Sequence, residues 1–123
     1  MAFLGRILEI DLSAGNWKFL PYPYDLQWKY LSGRGFNVQY LYNNMPAYTD
    51  PLGSENTLLF SCGLLTGTAA PASARLHINA RSPLTGLLWS SNIGGHFGAK
   101  LRSSGIQSLI NRGKSPEIGR AHV

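Results

Sequence analysis

The residues best suited to chemistry lie in three small-residue stretches: GLLTGTAAPASAR (63–75), SPLTG (82–86) and NIGGHFG (92–98). Small side chains let a ligand approach the backbone, and glycine allows the alternating right- and left-handed geometry of an N–H nest for anions. Asn92-Ile93-Gly94-Gly95 stands where the pattern opens a helix, so free N–H groups and the positive dipole end would face outward. Arg75 closes the first stretch with a guanidinium suited to a bidentate phosphate contact. Together these features suit a large phosphate-bearing cofactor. They equally suit ordinary tight turns between strands, and the residues alone leave both readings open. The chain has neither G-x-x-x-x-G-K-[ST] nor G-x-G-x-x-G, so the common nucleotide motifs do not apply.

Other chemistry has less support. Cys62 ends an apolar run and reads as a buried structural thiol. His77 in a strand and His96 at a helix start lack metal-ligand spacing and read as satisfied or surface histidines. The six acids (Glu9, Asp11, Asp25, Asp50, Glu55, Glu117) form no acid/base pair. With one cysteine, the sequence holds no intrachain disulfide and no four-thiolate iron–sulfur site.

The elements that position these residues belong to one modest domain. The chain has 123 residues, 44% hydrophobic and 14% charged, with 14 glycines. An average domain is roughly 25% charged and 7% glycine, so strands and tight loops should dominate. The net charge is +5, but Lys and Arg form no basic run, which argues against nucleic-acid binding and leaves room for an anionic cofactor. No apolar run reaches the roughly 18 residues of a membrane span, and the start is too interrupted for a signal peptide. A reducing cytoplasm is the simplest location.

Alternation predicts a strand over residues 6–12, a turn at Ser13–Asn16 with Gly15 in the left-handed region, and a return strand at Trp17–Leu20. Asp25 is the expected N-cap of a helix over Leu26–Leu31, and a second helix follows over Phe36–Asn44. Their aromatics (Trp28, Tyr30, Phe36, Tyr40, Tyr42) read as core rather than as a stacking platform. Strands are expected over Thr57–Cys62, Arg75–Arg81, Leu87–Ser91 and Ile106–Ile110, with a helix over His96–Ser103. The last six residues, Ile118–Val123, resemble a translated sequencing adapter. The expectation is a truncated N-terminal domain over 1–117 and a non-native tail over 118–123.

At the small-residue stretches the sequence resembles the N-terminal domain of the aldehyde ferredoxin oxidoreductase family, the tungsten bis-pterin enzymes. The likeness runs from Gly5-Arg6-Ile7-Leu8 and Asp11-Leu12-Ser13-Ala14-Gly15 through Gly33-Arg34-Gly35-Phe36 and Asp50-Pro51-Leu52-Gly53-Ser54-Glu55-Asn56. It continues through Gly63-Leu64-Leu65-Thr66-Gly67-Thr68, Ala70-Pro71, Arg75 and Ser82-Pro83-Leu84-Thr85-Gly86. Asn92, Gly94-Gly95, Phe97-Gly98 and Gly113-Lys114 complete it. The combination of D-P-L-G-x-E-N, L-T-G-T-x-A-P and S-P-L-T-G is highly specific. Leu64, Lys100 and Gly105-Ile106-Gln107 depart from the usual family residues and leave the subfamily open.

The resemblance implies an α+β fold, a β-rich base for a tungsten or molybdenum bis-pterin, with a few short helices. It implies that the full-length parent oxidises aldehydes to carboxylic acids. Electrons would leave through a 4Fe-4S cluster, with ligands outside this chain, to ferredoxin or an electron-transfer subunit. By the same resemblance Arg75 lies between a pterin phosphate and the cluster, and the backbone carbonyl of Asn92 helps hold a Mg2+ ion bridging the pterin phosphates. Gly94 is a backbone pterin contact, with Gly95 beside it, and no catalytic acid or base lies in this chain. The family also allows a homodimer of the full-length protein. The chain alone, without its C-terminal domains, is expected to be inactive and to expose apolar surface. Two other readings stand beside this one: a subunit fragment of an aromatic acyl-CoA reductase of the same family, and a non-enzymatic pterin- or phosphate-binding domain.

Overall fold

Strict alternation makes β1 (Arg6–Asp11), and its partner β2 (Asn16–Leu20) returns antiparallel to it. Between them the Asp11 carboxylate accepts the N–H groups of Ser13 and Ala14, at 2.9 and 3.0 Å, and Gly15 sits at φ +67°. This Asx-type turn fixes the hairpin register. The computed structural model describes residues 5–117 and 119. Of the suspected tail, Ile118 and residues 120–123 lie outside the described residues.

Two helices follow, α1 (Tyr24–Tyr30) and α2 (Arg34–Asn44). Pro23, not Asp25, stands at the N-cap of α1; its fixed φ of −74° suits a helix start, and Asp25 lies in the first turn. Leu31 at φ +64° and Gly33 at φ +62° break the chain sharply between the two helices. The remaining elements are β3 (Leu58–Cys62), β4 (Leu76–Arg81), β5 (Leu88–Ile93), α3 (Phe97–Ser103) and β6 (Ile106–Arg112).

The six strands form one mixed sheet in the order β2-β1-β6-β3-β4-β5. Its β1–β6 pair is parallel, and the other pairs are antiparallel. Successive strand side chains point to opposite faces. On one face Ile7, Leu59 and Ile110 pack with Phe36 and Leu41 of α2 and with Tyr22. On the other, Cys62, Leu76 and Ile78 pack with Phe60 and with Leu101 of α3. The fold is therefore α+β, as expected.

The aromatic reading of the helices holds only in part. Phe36 is buried and Tyr40 packs against the same cluster, but Trp28 is 85% and Tyr42 87% exposed. Helix α1 buries no residue: on this face α2 lies against β3 and β4, and α1 reaches the core only through half-buried Leu26.

A buried polar cluster pins α2 to the sheet. Asn37 Nδ2 donates to Asn79 Oδ1 at 2.9 Å, and Ser61 Oγ donates to Asn37 Oδ1 at 2.5 Å. The Ser61 and Ser108 hydroxyls are 2.7 Å apart, and Asn79 reaches the Trp89 carbonyl at 3.0 Å and the Ser90 hydroxyl. All of these side chains except Ser90 belong to buried residues or to strands beneath α2. Buried polar groups are tolerable when every one is paired. Asn37→Ala leaves Asn79 and Ser61 short of partners; urea unfolding is expected to show a loss of about 2–4 kcal/mol.

Cys62 is the buried thiol its apolar run predicts, donating to the Gly98 carbonyl at 3.4 Å. Burial pushes this thiol up to about 11 from the usual 9.0, with Arg102 opposing. The folded state thus holds the proton more tightly. That contribution is complete below about pH 9 and disappears as pH rises toward 11. The expected outcome is negligible alkylation by iodoacetamide at pH 8 until urea is added, followed by mass spectrometry.

Candidate cofactor site

Strand register decides which of the sequence motifs meet. Leu76 pairs with Ile93 and with Cys62, so Arg75, Gly94 and Gly63 are the next residues out on three neighbouring strands. Loop 63–75 and the Gly94-Gly95 link therefore leave the sheet at the same end. The SPLTG turn does not join them. It closes the opposite end of the β4–β5 hairpin, with Ser82 N donating to Leu87 O at 2.7 Å and Gly86 at φ +70°. A six-residue strand separates the two ends by roughly 20 Å. Of the three stretches that suggested one cradle, two assemble.

The two motifs at that far end are structural. Asn56 of the DPLGSEN segment bonds both backbone groups of Arg81: its Nδ2 donates to Arg81 O at 3.0 Å, and its Oδ1 accepts Arg81 N at 3.1 Å. Arg81 in turn donates through Nε to Gly86 O at 2.8 Å. These bonds fix the end of β4 and so its register.

At the near end, loop 63–75 is held by its own hydrogen bonds. Thr66 Oγ1 donates to Arg75 O at 2.9 Å, Thr68 Oγ1 to Leu65 O at 2.7 Å, and Ser73 Oγ to Ala70 O at 2.7 Å. Helix α3 presses on it at Gly98, where a Cβ would come within 3.0 Å of Ala74 O and 3.1 Å of Thr66 Cγ2. The Arg75 guanidinium, exposed at the loop's end, has no carboxylate paired with it among the described residues. A guanidinium without a protein counter-ion suits an anionic ligand.

The predicted helix start at Asn92-Ile93 is a strand end instead. Asn92 pairs with His77 and Ile93 with Leu76, and α3 begins only at Phe97, after His96. Ladder pairing with β4 outweighs the local helix signal. Asn92 thus lies on β5, an edge strand among the described residues, whose outer side leaves alternate carbonyls without a strand partner there. Gly95 has φ +79°, a backbone reason to be glycine. Gly94 has none: its φ is not in the left-handed region, and a Cβ there would meet nothing within 4 Å among the described residues.

Beside Arg75 opens a cavity of about 530 Å3, lined by Leu31, Ser32, Gly63, Thr66, Arg75 and His77 with part of the loop. Ser32 Oγ donates to Cys62 O at 3.1 Å and ties the α1–α2 link to this sheet end. Gly33 lies over His77, where a Cβ would come within 3.2 Å of the ring. His77 is half-buried, and its Nδ1 is enclosed without a hydrogen-bond partner. Burial lowers the His77 pKa, and the charges of Arg34 and Arg75 lower it further. His77 is therefore neither satisfied nor a surface residue, contrary to its reading from sequence. Its signal was the alternation Arg75, His77, Asn79 on one strand face, but that pattern does not say which glycine covers it.

Asn92, Gly94 and Gly95 do not line the cavity but lie beside it across the β4–β5 pair. The donor set on the cavity wall, a guanidinium and an imidazole with no lining carboxylate, fits the phosphate arms of a pterin cofactor. It does not fit an iron–sulfur cluster. Among the described residues no three His, Cys, Asp or Glu side chains stand together as metal ligands.

Comparison with known proteins agrees with the sequence resemblance. Residues 7–121 match the family described as aldehyde ferredoxin oxidoreductase, N-terminal domain. Two tungsten-containing aldehyde ferredoxin oxidoreductases, from Pyrococcus furiosus and Thermococcus kodakarensis, are 39% and 40% identical over 111 residues. That is 90% of this chain and 18% of each relative. An aliphatic sulfonate oxidoreductase, WOR-like subunit, from P. furiosus is 30% identical over 117 residues, 93% of this chain and 18% of its own length. The active-site complex BamBC of benzoyl coenzyme A reductase, solved with 1,5-dienoyl-CoA, superposes with a TM-score of 0.91 at 36% identity. That match covers 93% of this chain and 18% of the other. The chain spans about a fifth of the length of the relatives it matches, and it belongs to the aldehyde ferredoxin oxidoreductase family as an N-terminal domain.

Proposed function

We propose that this chain is the cofactor-cradling N-terminal part of a tungsten-containing enzyme that oxidises aldehydes to carboxylic acids. The observation that carries the reading is the single sheet end where Arg75, with no carboxylate paired to it among the described residues, neighbours the open backbone at Gly94. When bound, a tungsten or molybdenum bis-pterin supplies the redox chemistry. This chain's own part is to bind and orient it. Arg75 holds a phosphate oxygen through the fixed fork of its guanidinium N–H donors. Gly94 and Gly95 let the ligand lie against the main chain. The Asn92 carbonyl is a hard oxygen suited to a Mg2+ ion between phosphates. Leu31, Ser32 and part of loop 63–75 wall the cavity beside Arg75.

Acid/base groups, the 4Fe-4S ligands and the ferredoxin contact belong to later domains in this reading, and the chain alone turns nothing over. The substrate is set there too, since relatives named for aldehyde, sulfonate and coenzyme A chemistry all share this domain. A second reading, a subunit of an aromatic acyl-CoA reductase, is favoured by the 0.91 superposition on the benzoyl coenzyme A reductase complex. The expected result is that the full-length parent, produced with tungstate, reduces a viologen dye with an aldehyde, while the 123-residue chain does not. Activity only with an aromatic coenzyme A thioester would support the second reading. Turnover by the chain alone would refute the division of labour.

Gly94 offers a sharper check. Because nothing crowds a Cβ there, Gly94→Ala should leave thermal stability within about 0.5 kcal/mol of the parent sequence. The same change, like Arg75→Ala, should weaken binding of a phosphorylated pterin about tenfold or more by calorimetry. Unchanged affinity in both variants would place the cofactor elsewhere.

A further inference from the structure

His77 leaves β4 on one face, Arg75 stands one residue before the strand, and Asn92 stands opposite His77 on β5. That is the face covered by α2, and both Arg75 and His77 line the cavity of about 530 Å3. Gly33 is the cover. Any larger residue there would lie within 3.2 Å of the imidazole carbon and push the ring aside. Gly33 thus packs closely on one side of this ring, and its buried Nδ1 has no partner among the described residues.

We propose that His77 is a direct ligand-binding residue, donating from Nε2 to an oxygen of the phosphate group that Arg75 also holds. An enclosed N–H with no acceptor is rarer and costlier than an enclosed lone pair, so the neutral ring carries its proton on Nε2. Burial, and then the charges of Arg34 and Arg75, disfavour a charged ring. A cationic clamp with one neutral, directional donor selects an oxyanion by geometry as well as by charge. The assignment rests on the cofactor-phosphate reading given above, and extends it from the cavity's exposed rim to its half-buried wall.

The test uses the complete 123-residue chain, 15N-labelled at histidine, with inorganic pyrophosphate as the probe. Long-range 1H–15N spectra report the tautomer and each ring nitrogen. The expected free-state pattern is a neutral ring protonated at Nε2, and saturating pyrophosphate should shift His77 Nε2 while leaving His96 unmoved. His77→Leu should weaken pyrophosphate about tenfold or more, and His77→Gln, which keeps an N–H donor, should recover most of the loss. If His77→Leu does not fold, the wild-type Nε2 shift and the Gln variant still decide. Binding that Arg75→Ala abolishes, with the Nε2 signal unmoved and His77→Leu at full affinity, would overturn the role of His77 and leave the phosphate site standing. Binding that survives Arg75→Ala, or no saturable binding, would overturn the phosphate site itself and His77 with it.

Discussion

The register of β4 is the constraint on which the site depends. Moved by one residue, the strand would turn Arg75 and His77 toward the α3 face and send Leu76 and Ile78 under α2. Apolar packing alone would resist this weakly, because both faces of the sheet carry a core cluster. Polar groups supply the discrimination. A slip would break the bond of Asn79 to Asn37 beneath α2, and Asn56 grips both backbone groups of Arg81 at the strand's far end. The near end of β4 is then free to carry groups that make few contacts of their own. Arg75 is exposed and His77 is incompletely bonded because the register is held elsewhere.

This separates the sequence motifs by role. DPLGSEN and SPLTG, which stand out as strongly as any segment, are anchors about a strand's length away from the cavity. LTGTAAP is a self-bonded loop on which α3 rests through Gly98. The glycines divide in the same way. Gly33, Gly98 and Gly95 are glycine for reasons visible in the fold, a close neighbour or a left-handed φ, while Gly94 has no such reason among the described residues.

The strands were legible because alternation is a local signal, and every strand expected from it is present within a few residues. Boundaries failed where pairing overrode local preference. Asn92-Ile93 looked like a helix start and instead extends β5 because β4 offers it partners. The aromatic residues of α1 and α2 misled for a related reason. Periodicity marks an apolar stripe but not what covers it, and Trp28 and Tyr42 face outward. The site was legible only one residue at a time. Arg75 and Gly94 stood out by type, but that they are neighbours, that SPLTG is not, and that Gly33 lies over His77 all follow from strand order, which spacing along the chain does not encode.

Strand order also fixes when the domain can form. The last strand of the described sheet, β6, occupies a central position between β1 and β3. Among the described residues the β1–β2 hairpin pairs with the rest of the sheet only through β6, so during synthesis that pairing must wait until Arg112 has cleared the ribosome. Contacts between residues so distant in sequence are slow to close and leave strand edges open meanwhile. The described sheet is thus joined by insertion of β6, and anything that stalls translation before that point leaves two half-sheets rather than a smaller version of it.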